Sequence, residues 1–254
     1  MIKIQYASDF HLEFMENSRY LCGNPITPMG DILILAGDTG CLGDVSYTVD
    51  PFWDWASEHF RQVIVCFGNH EFYEYYNLAS LVNGTDVPIR PNVHCYYNQV
   101  VHIDDVDIIV STLWSHISLR NAAMIEKRVS DFHRVMYHDH ILGWKDFNHE
   151  HDRCLQFIKN AVGMSLAAKK IVVTHHVPSF QLLPQEFNES PINNAFAVEL
   201  ADYIEQSDID YWIYGHSHRN IDKRIGNTQC VCNQLGYISY GENKDFKNDK
   251  LLEI

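Results

Sequence analysis

The stretch Val63-Ile64-Val65-Cys66-Phe67-Gly68-Asn69-His70-Glu71 decides how the rest of the chain reads. Five apolar residues stop abruptly at Gly68, Asn69, His70 and Glu71. The apolar run reads as a strand buried on both faces, as in a parallel sheet. Its polar tip falls at the strand's C-terminal end, where open α/β sheets place their ligands. Gly68 and Asn69 suit a turn, because both tolerate unusual backbone angles. A turn does not call for His70 and Glu71 directly afterwards.

The same pattern occurs five times. Lys3–Ser8 ends in Asp9-Phe10-His11, Ile32–Ala36 in Gly37-Asp38, and Val63–Phe67 in Gly68-Asn69-His70. Ile171–Thr174 ends in His175-His176, and Tyr211–Tyr214 in Gly215-His216-Ser217-His218. None of these motifs contains Lys or Arg. Carboxylates and imidazoles crowded together without a local cation imply bound divalent metal. Singly the motifs are weak: a Gly-Asp pair is mostly a turn, and a His pair is mostly packed or capped. Alternate histidines at a strand end point the same way, which makes the last motif the strongest.

Composition bounds the function from outside. The 254 residues are enough for one α/β domain with a sizeable core, and 46% are apolar. Thirty-three acidic against nineteen basic residues give a net charge of −14. That balance argues against a nucleic-acid polymer as partner, since polymer binding draws on a basic stripe. It leaves room for a small anion held through metal. The seven cysteines are odd in number and form no C-x-x-C pair, so neither a disulfide framework nor a zinc knuckle is expected. Cys230 and Cys232 would share one sheet face. Met1 leads directly into a strand, and no apolar run nears the ~18 residues of a membrane span. A soluble, cytoplasmic protein is expected, with no membrane partner.

Between the motifs the pattern is less regular. Phe14–Met29 reads as a loop, with Gly23, Pro25 and Pro28. Asp50-Pro51 starts a helix with an N-cap and a proline at the first helical position. Val93–Tyr97 and Val106–Leu113 read as strands, as do Thr228–Asn233 and Leu251–Ile254 after a Gly226-Asn227 turn. A helix is expected over Asn121–Phe132 and another over His149–Val162. Asn194 is placed as the cap of a helix over Ala195–Gln206. The segment 120–151, rich in histidine and aromatic residues, is either a cap over the site or a solvated insertion. With no linker composition in view, residues 1–254 read as a single domain.

Taken in order, D-x-H, G-D, G-N-H-E, H and G-H-x-H resemble the calcineurin-like metallophosphoesterase superfamily, over Asp9 to His218. SDFHLEF, GNHEFY and THHVPS look most like its small bacterial and phage-type members. The resemblance implies an α/β fold of two mixed β-sheets packed as a sandwich and flanked by helices (α/β/β/α). It implies two divalent metals, the first on Asp9, His11 and His218, the second on Asn69, His175 and His216, with Asp38 bridging. It makes His70 a catalytic group facing the phosphate rather than a ligand. The implied activity is hydrolysis of small phosphodiesters, or monoesters, by a metal-bridging hydroxide.

The residue types agree with this independently. Carboxylate, imidazole and amide oxygen without thiolate suit Mn²⁺, Fe or Zn²⁺, with Mn²⁺ favoured. One shared carboxylate holds two cations about 3.5–4 Å apart, the spacing of two-metal hydrolases. Cys41 stands where relatives often have Asp or Asn, and Glu71 where many cyclic-nucleotide phosphodiesterases have Asp. Glu71 is also the carboxylate nearest His70 in sequence, and a partner brought in by the fold stays open. His176 is read as supporting or structural. His59, His94, His102, His133, His138, His140, His149 and His151 are read as surface or satisfied core residues. His116 is a weaker candidate, and Arg120, Arg134 and Tyr73 could contact phosphate or base. Two other readings exist. One is a protein-binding scaffold that keeps this fold without hydrolysis, as one retromer subunit does, but such members usually lack the catalytic histidine. The other is a β-lactamase-type zinc hydrolase, whose H-x-H-x-D-H cluster is absent.

Overall fold

The computed structural model describes residues 2–187 and 190–254. The strand expected straight after Met1 starts at Lys3, Met1 itself lying outside the described residues. In chain order, β1 (Lys3–Ala7), α1 (Met15–Gly23), β2 (Ile32–Leu35), α2 (Pro51–His59) and β3 (Gln62–Cys66) come first. Then follow β4 (Thr85–Arg90), β5 (Val93–Tyr97), β6 (Gln99–Ile103), β7 (Val106–Ser111), α3 (Ala122–Arg128) and α4 (Asp131–Arg134). A short hairpin, β8 (Met136–Tyr137) and β9 (His140–Ile141), leads into α5 (Trp144–Met164) and β10 (Lys169–Thr174). The chain ends through α6 (Ala201–Gln206), β11 (Tyr211–Ile213), β12 (Lys223–Ile225), β13 (Thr228–Val231) and β14 (Leu251–Glu253).

Two six-stranded sheets carry the fold, in the orders β14-β1-β2-β3-β5-β4 and β12-β13-β11-β10-β7-β6. Each has four parallel strands in the middle and one antiparallel strand at either edge. Side chains alternate across a strand, so each central strand supplies two layers. Ile4, Tyr6, Ile32, Ile34 and Ile64 of the first sheet meet Ile108, Val110, Ile171, Val173 and Ile213 of the second. The opposite face of the first sheet, with Leu33, Val63 and Val65, packs on Trp53 and Ala56 of α2. That of the second, with Ile109, Val172 and Trp212, packs on Ile158 of α5 and Ile204 of α6. The result is the α/β/β/α sandwich. Truncating an inter-sheet residue such as Ile34 to Ala would cost ~2–5 kcal/mol.

Several local expectations change. Phe14–Met29 is not all loop, because α1 occupies Met15–Gly23 before Pro25 and Pro28. The expected helix over Asn121–Phe132 breaks in two between Arg128 and Asp131. Helix α5 starts earlier than expected, at Trp144. Asn194 caps no long helix. Its side-chain oxygen accepts from Ser118 and Asn121, the chain makes a 3₁₀ turn at Asn193–Ala195, and α6 starts only at Ala201. Strands β4, β6 and β12 carried no clear signal: β4 contains Pro88 beside a register shift, which an edge strand tolerates. All seven cysteines are free thiols, and Cys22 alone is exposed. Among the described residues no helix is long and apolar enough to cross a membrane.

Candidate metal centre

All five motif tips lie beyond the C-terminal ends of β1, β2, β3, β10 and β11, and they converge. Parallel pairing of β1, β2 and β3 sets Asp9, Asp38 and Asn69 side by side. Parallel pairing of β10 with β11 does the same for His175 and His216. The His216 amide donates to Asp9 Oδ1 at 3.1 Å and so ties a tip of the second sheet to one of the first, while within the first sheet the His70 amide donates to Asp38 Oδ1 at 2.8 Å.

Gly68 is there for room rather than for bending. Gly68 and Asn69 do not adopt positive φ, contrary to the turn reading. A Cβ on Gly68 would lie 2.2 Å from Asp38 Oδ1, so only glycine lets the two tips meet. Gly37 needs both: its φ is +88°, and a Cβ would come within 2.5 Å of His175 Nδ1. The left-handed backbone falls on the polar residues themselves. Asp9, His11, Asp38, His216 and His218 have φ between 48° and 73°. Each such residue costs roughly 1–3 kcal/mol, and the strain is tolerated where surrounding structure fixes it, often at functional sites.

Two groups of donor atoms result, Asp9-His11-His218 and Asp38-His175-His216, each with its ligand atoms within 4.8 Å of one another. In the first, His11 Nε2 and His218 Nε2 are 3.1 Å apart, and Asp9 Oδ1 is 3.2 Å from His218 Nε2. In the second, His175 Nε2 lies 2.9 Å from Asn69 Oδ1, 3.0 Å from His216 Nδ1 and 3.3 Å from Asp38 Oδ1. The other Asp38 oxygen is 3.8 Å from His11 Nε2, so one carboxylate faces both groups.

The outer hydrogen bonds decide which atoms face inward. His11 Nδ1 and His218 Nδ1 donate to Glu13 and Glu242, at 3.2 and 2.6 Å, and His175 Nδ1 donates to the Ala36 carbonyl at 2.9 Å. In the neutral rings all three Nε2 atoms are then lone pairs. Asn69 Nδ2 donates to Asp131 Oδ1 at 2.8 Å, which turns its carbonyl oxygen inward as well. Acceptors therefore face acceptors at hydrogen-bond distance with no proton between them. That arrangement fits divalent cations. The alternative occupant is protons. Burial disfavours a charged His175, but Asp38 overrides it and holds the ring up at about 9. Burial is likewise outweighed at His218, where Asp9 and Glu242 push the pKa to about 10.

His70 stands beside this cluster. Its Nε2 is 3.9 Å from Asp38 Oδ2 and 3.3 Å from the Tyr237 hydroxyl, while its Nδ1 donates to Glu13 Oε1 at 2.7 Å. Glu13, not Glu71, is thus the carboxylate partner of His70. Glu71 points the other way and accepts from the amides of Asp38, Thr39 and Gly68 and from the Thr39 hydroxyl, at 2.6–3.0 Å. It clasps the second and third tips together. Burial and the nearby Asp38 lift its pKa to about 7. His11, Glu13 and His70 also cluster within 4.8 Å, but on the outer edges of both rings.

The remaining candidates sort plainly. His176 is fully buried with both ring nitrogens unpartnered, and its ring centroid lies 4.3 Å from that of His216. Cys41 is buried in the core cluster of the first sheet. His116 lies edge-on to His151, outside the cluster. His151 is a satisfied core residue bonded to the Leu113 and Trp114 carbonyls. Arg134 and Tyr73 line the cleft above the two groups, and Arg120 does not. The sequence reading missed Glu13, Asp131, Tyr237 and Glu242. Glu13 follows His11 by two residues in the same tip, so it was findable. Asp131 lies 62 residues from Asn69 and gave no signal.

Comparison with known proteins agrees with this geometry. A protein of Acanthamoeba polyphaga mimivirus is 26% identical, over 92% of this chain and 91% of its own. The phosphopantetheinyl hydrolase from Mycobacterium tuberculosis superposes with a TM-score of 0.72 at 16% identity, covering 98% of this chain and 95% of its own, a likeness of fold. Residues 3–220 match the calcineurin-like phosphoesterase family, which supports a metal-dependent phosphoester hydrolase. The chain belongs to that calcineurin-like phosphoesterase family.

Proposed function

We propose that this protein is a dinuclear metal-dependent phosphodiesterase for small substrates. The observation that carries the reading is the Asp38 carboxylate, with one oxygen toward His175 and the other toward His11. Asp9, His11 and His218 would hold one cation, Asn69, His175 and His216 the other, and Asp38 both. Mn²⁺ is favoured over Fe and Zn²⁺ on the mixture of oxygen and imidazole donors without thiolate. When bound, the pair would supply an activated water and neutralise charge on the phosphoryl oxygens.

The protein's own groups do the rest. Glu13 fixes the His70 ring, so that Nε2 faces the cleft beside the Tyr237 hydroxyl. A proton held there is placed for the leaving oxygen, and against burial Asp38 and Glu13 favour it. Asp131 and Tyr73 fix the Asn69 amide. The tips supply no Lys or Arg beside the donor groups, and Arg134 stands off from them behind the Tyr73 ring, which favours a diester at the cleaved phosphorus. The charge of −14 opposes binding to nucleic-acid polymers. Seven free thiols suit a reducing, cytoplasmic setting.

The test is elemental analysis together with hydrolysis of bis(p-nitrophenyl) phosphate. Close to two transition-metal ions per chain and Mn²⁺-dependent turnover, abolished by chelator, are expected. A metal-loaded protein that turns over no phosphoester would overturn the reading. Monoester turnover more than tenfold above diester turnover would reverse the substrate preference. Tight binding of duplex DNA at physiological salt would remove the exclusion of polymers.

A further inference from the structure

The cleft over the two donor groups encloses about 640 Å³. That lies within the ~300–1,000 Å³ of pockets that hold whole small molecules, so an ester arm has room beyond the phosphorus. One wall runs from the end of α3 to the end of α4 and includes Arg128 and Arg134. Among the described residues four of the nine arginines pair with a carboxylate. Arg90 pairs with Asp54, Arg153 with Glu150, Arg61 with Asp104, and Arg219 with Glu186 and Glu242. Among the described residues Arg128 and Arg134 make no ion pair and no side-chain hydrogen bond.

Arg134 is nonetheless held in place. Its guanidinium lies 5.3 Å over the Tyr73 ring, which in turn lies 4.2 Å from the His70 ring. The Tyr73 hydroxyl accepts from Asn69 Nδ2 at 3.2 Å. Arg134 is therefore one aromatic ring away from the metal centre. Its natural partner, Asp131 three residues earlier on α4, is buried and turned inward, on Asn69 and Tyr73 at 2.8 and 2.6 Å. The local acid is committed to the centre, and the base is left facing the cleft.

We infer that Arg128 and Arg134 form a subsite for a second phosphate on the substrate's ester arm. The substrate class is then a small phosphodiester bearing a further terminal phosphate. That phosphate is bound, not cleaved. A planar guanidinium can take it with two parallel hydrogen bonds. The inference rests on the phosphodiesterase reading above and deepens it.

Two chromogenic diesters with one leaving group test it: p-nitrophenyl thymidine 5′-phosphate and the same ester carrying a 3′-phosphate. The metal-loaded protein is expected to prefer the second in kcat/KM by about tenfold or more, the effect of one or two charge-assisted contacts. In Arg128→Gln/Arg134→Gln that preference should collapse toward one, through a rise in KM for the bisphosphate, and Arg134→Lys alone should keep part of it. Both side chains are exposed, so the core stays intact. Equal kcat/KM for the two esters in the unmutated protein, or a proportional loss on both in the variant, would overturn the subsite while leaving the phosphodiesterase reading standing. If neither ester is turned over, and bis(p-nitrophenyl) phosphate and phosphomonoesters are not either, that reading fails. Calorimetric titration with thymidine 3′,5′-bisphosphate then decides the subsite: about tenfold weaker binding in the double variant supports it, and equal binding removes it.

Discussion

The two halves of the centre have similar donors but unequal charge behind them. Asp9, His11 and His218 bring one carboxylate directly, and both rings lean on further carboxylates, Glu13 and Glu242. Asn69, His175 and His216 bring a neutral amide, one ring leaning on a carbonyl, and one ring whose Nε2 has no partner. The acid on that side, Asp131, acts only through the Asn69 amide. A carboxylate behind an imidazole makes it a more basic donor. The first half should therefore hold its cation more tightly, with Asp38 tying the two affinities together.

The largest effect is expected from cutting that tie. Asp38→Asn removes a charge shared by both halves, and the comparison should vanish because both sites weaken. Elemental analysis should find well under two metals per chain, and turnover should fall below roughly 1% of the unmutated protein. Two firmly held metals in this variant would end the bridging role.

The next effect leaves both halves intact. His70→Ala should keep the fold and both metals while kcat drops roughly 10²–10⁴-fold, the usual worth of a positioned proton donor. The drop should shrink for leaving groups of low pKa, which need little protonation. His175→Ala, by contrast, should lose metal. Glu13→Gln should fall between them, because Glu13 serves His70 and His11 together. Metal loss in His70→Ala, or an unchanged rate on a diester with a poor leaving group, would show that its role is misassigned.

How much of this was legible depends on whether the signal was local. The apolar runs ending in polar tips placed β1, β2, β3, β10 and β11 within a residue or two, because buried parallel strands carry continuous apolar runs. They also singled out the residues that now converge, since each tip was read where it stands. The second layer was hidden. Asp131 and Glu242 reach their partners only through tertiary folding, and neither lies within a recognisable motif. Glu71 stood in plain view while its role did not, because its partners, the Asp38 and Thr39 amides, lie more than thirty residues away. Helix propensity failed at Asn194 because side chains of Ser118 and Asn121 claimed it.

The smallest effect bears on the asymmetry itself. Glu242→Gln keeps shape but removes the charge behind His218, and Asp131→Asn does the same behind Asn69. Outer partners of this kind are worth about 10–100-fold in metal affinity. Under graded chelator the unmutated protein should release its metals in two steps, the second half first. Asp131→Asn weakens the half that already lets go, so the first step should move to lower chelator and the steps should separate further. Glu242→Gln weakens the half that holds on, so its later step should move toward the earlier one and the two should merge. The variants thus change the separation of the two steps in opposite senses, which a general loss of stability would not do. If both variants move both steps alike, the charge behind the rings does not set the difference, and the two halves act as one site governed by Asp38.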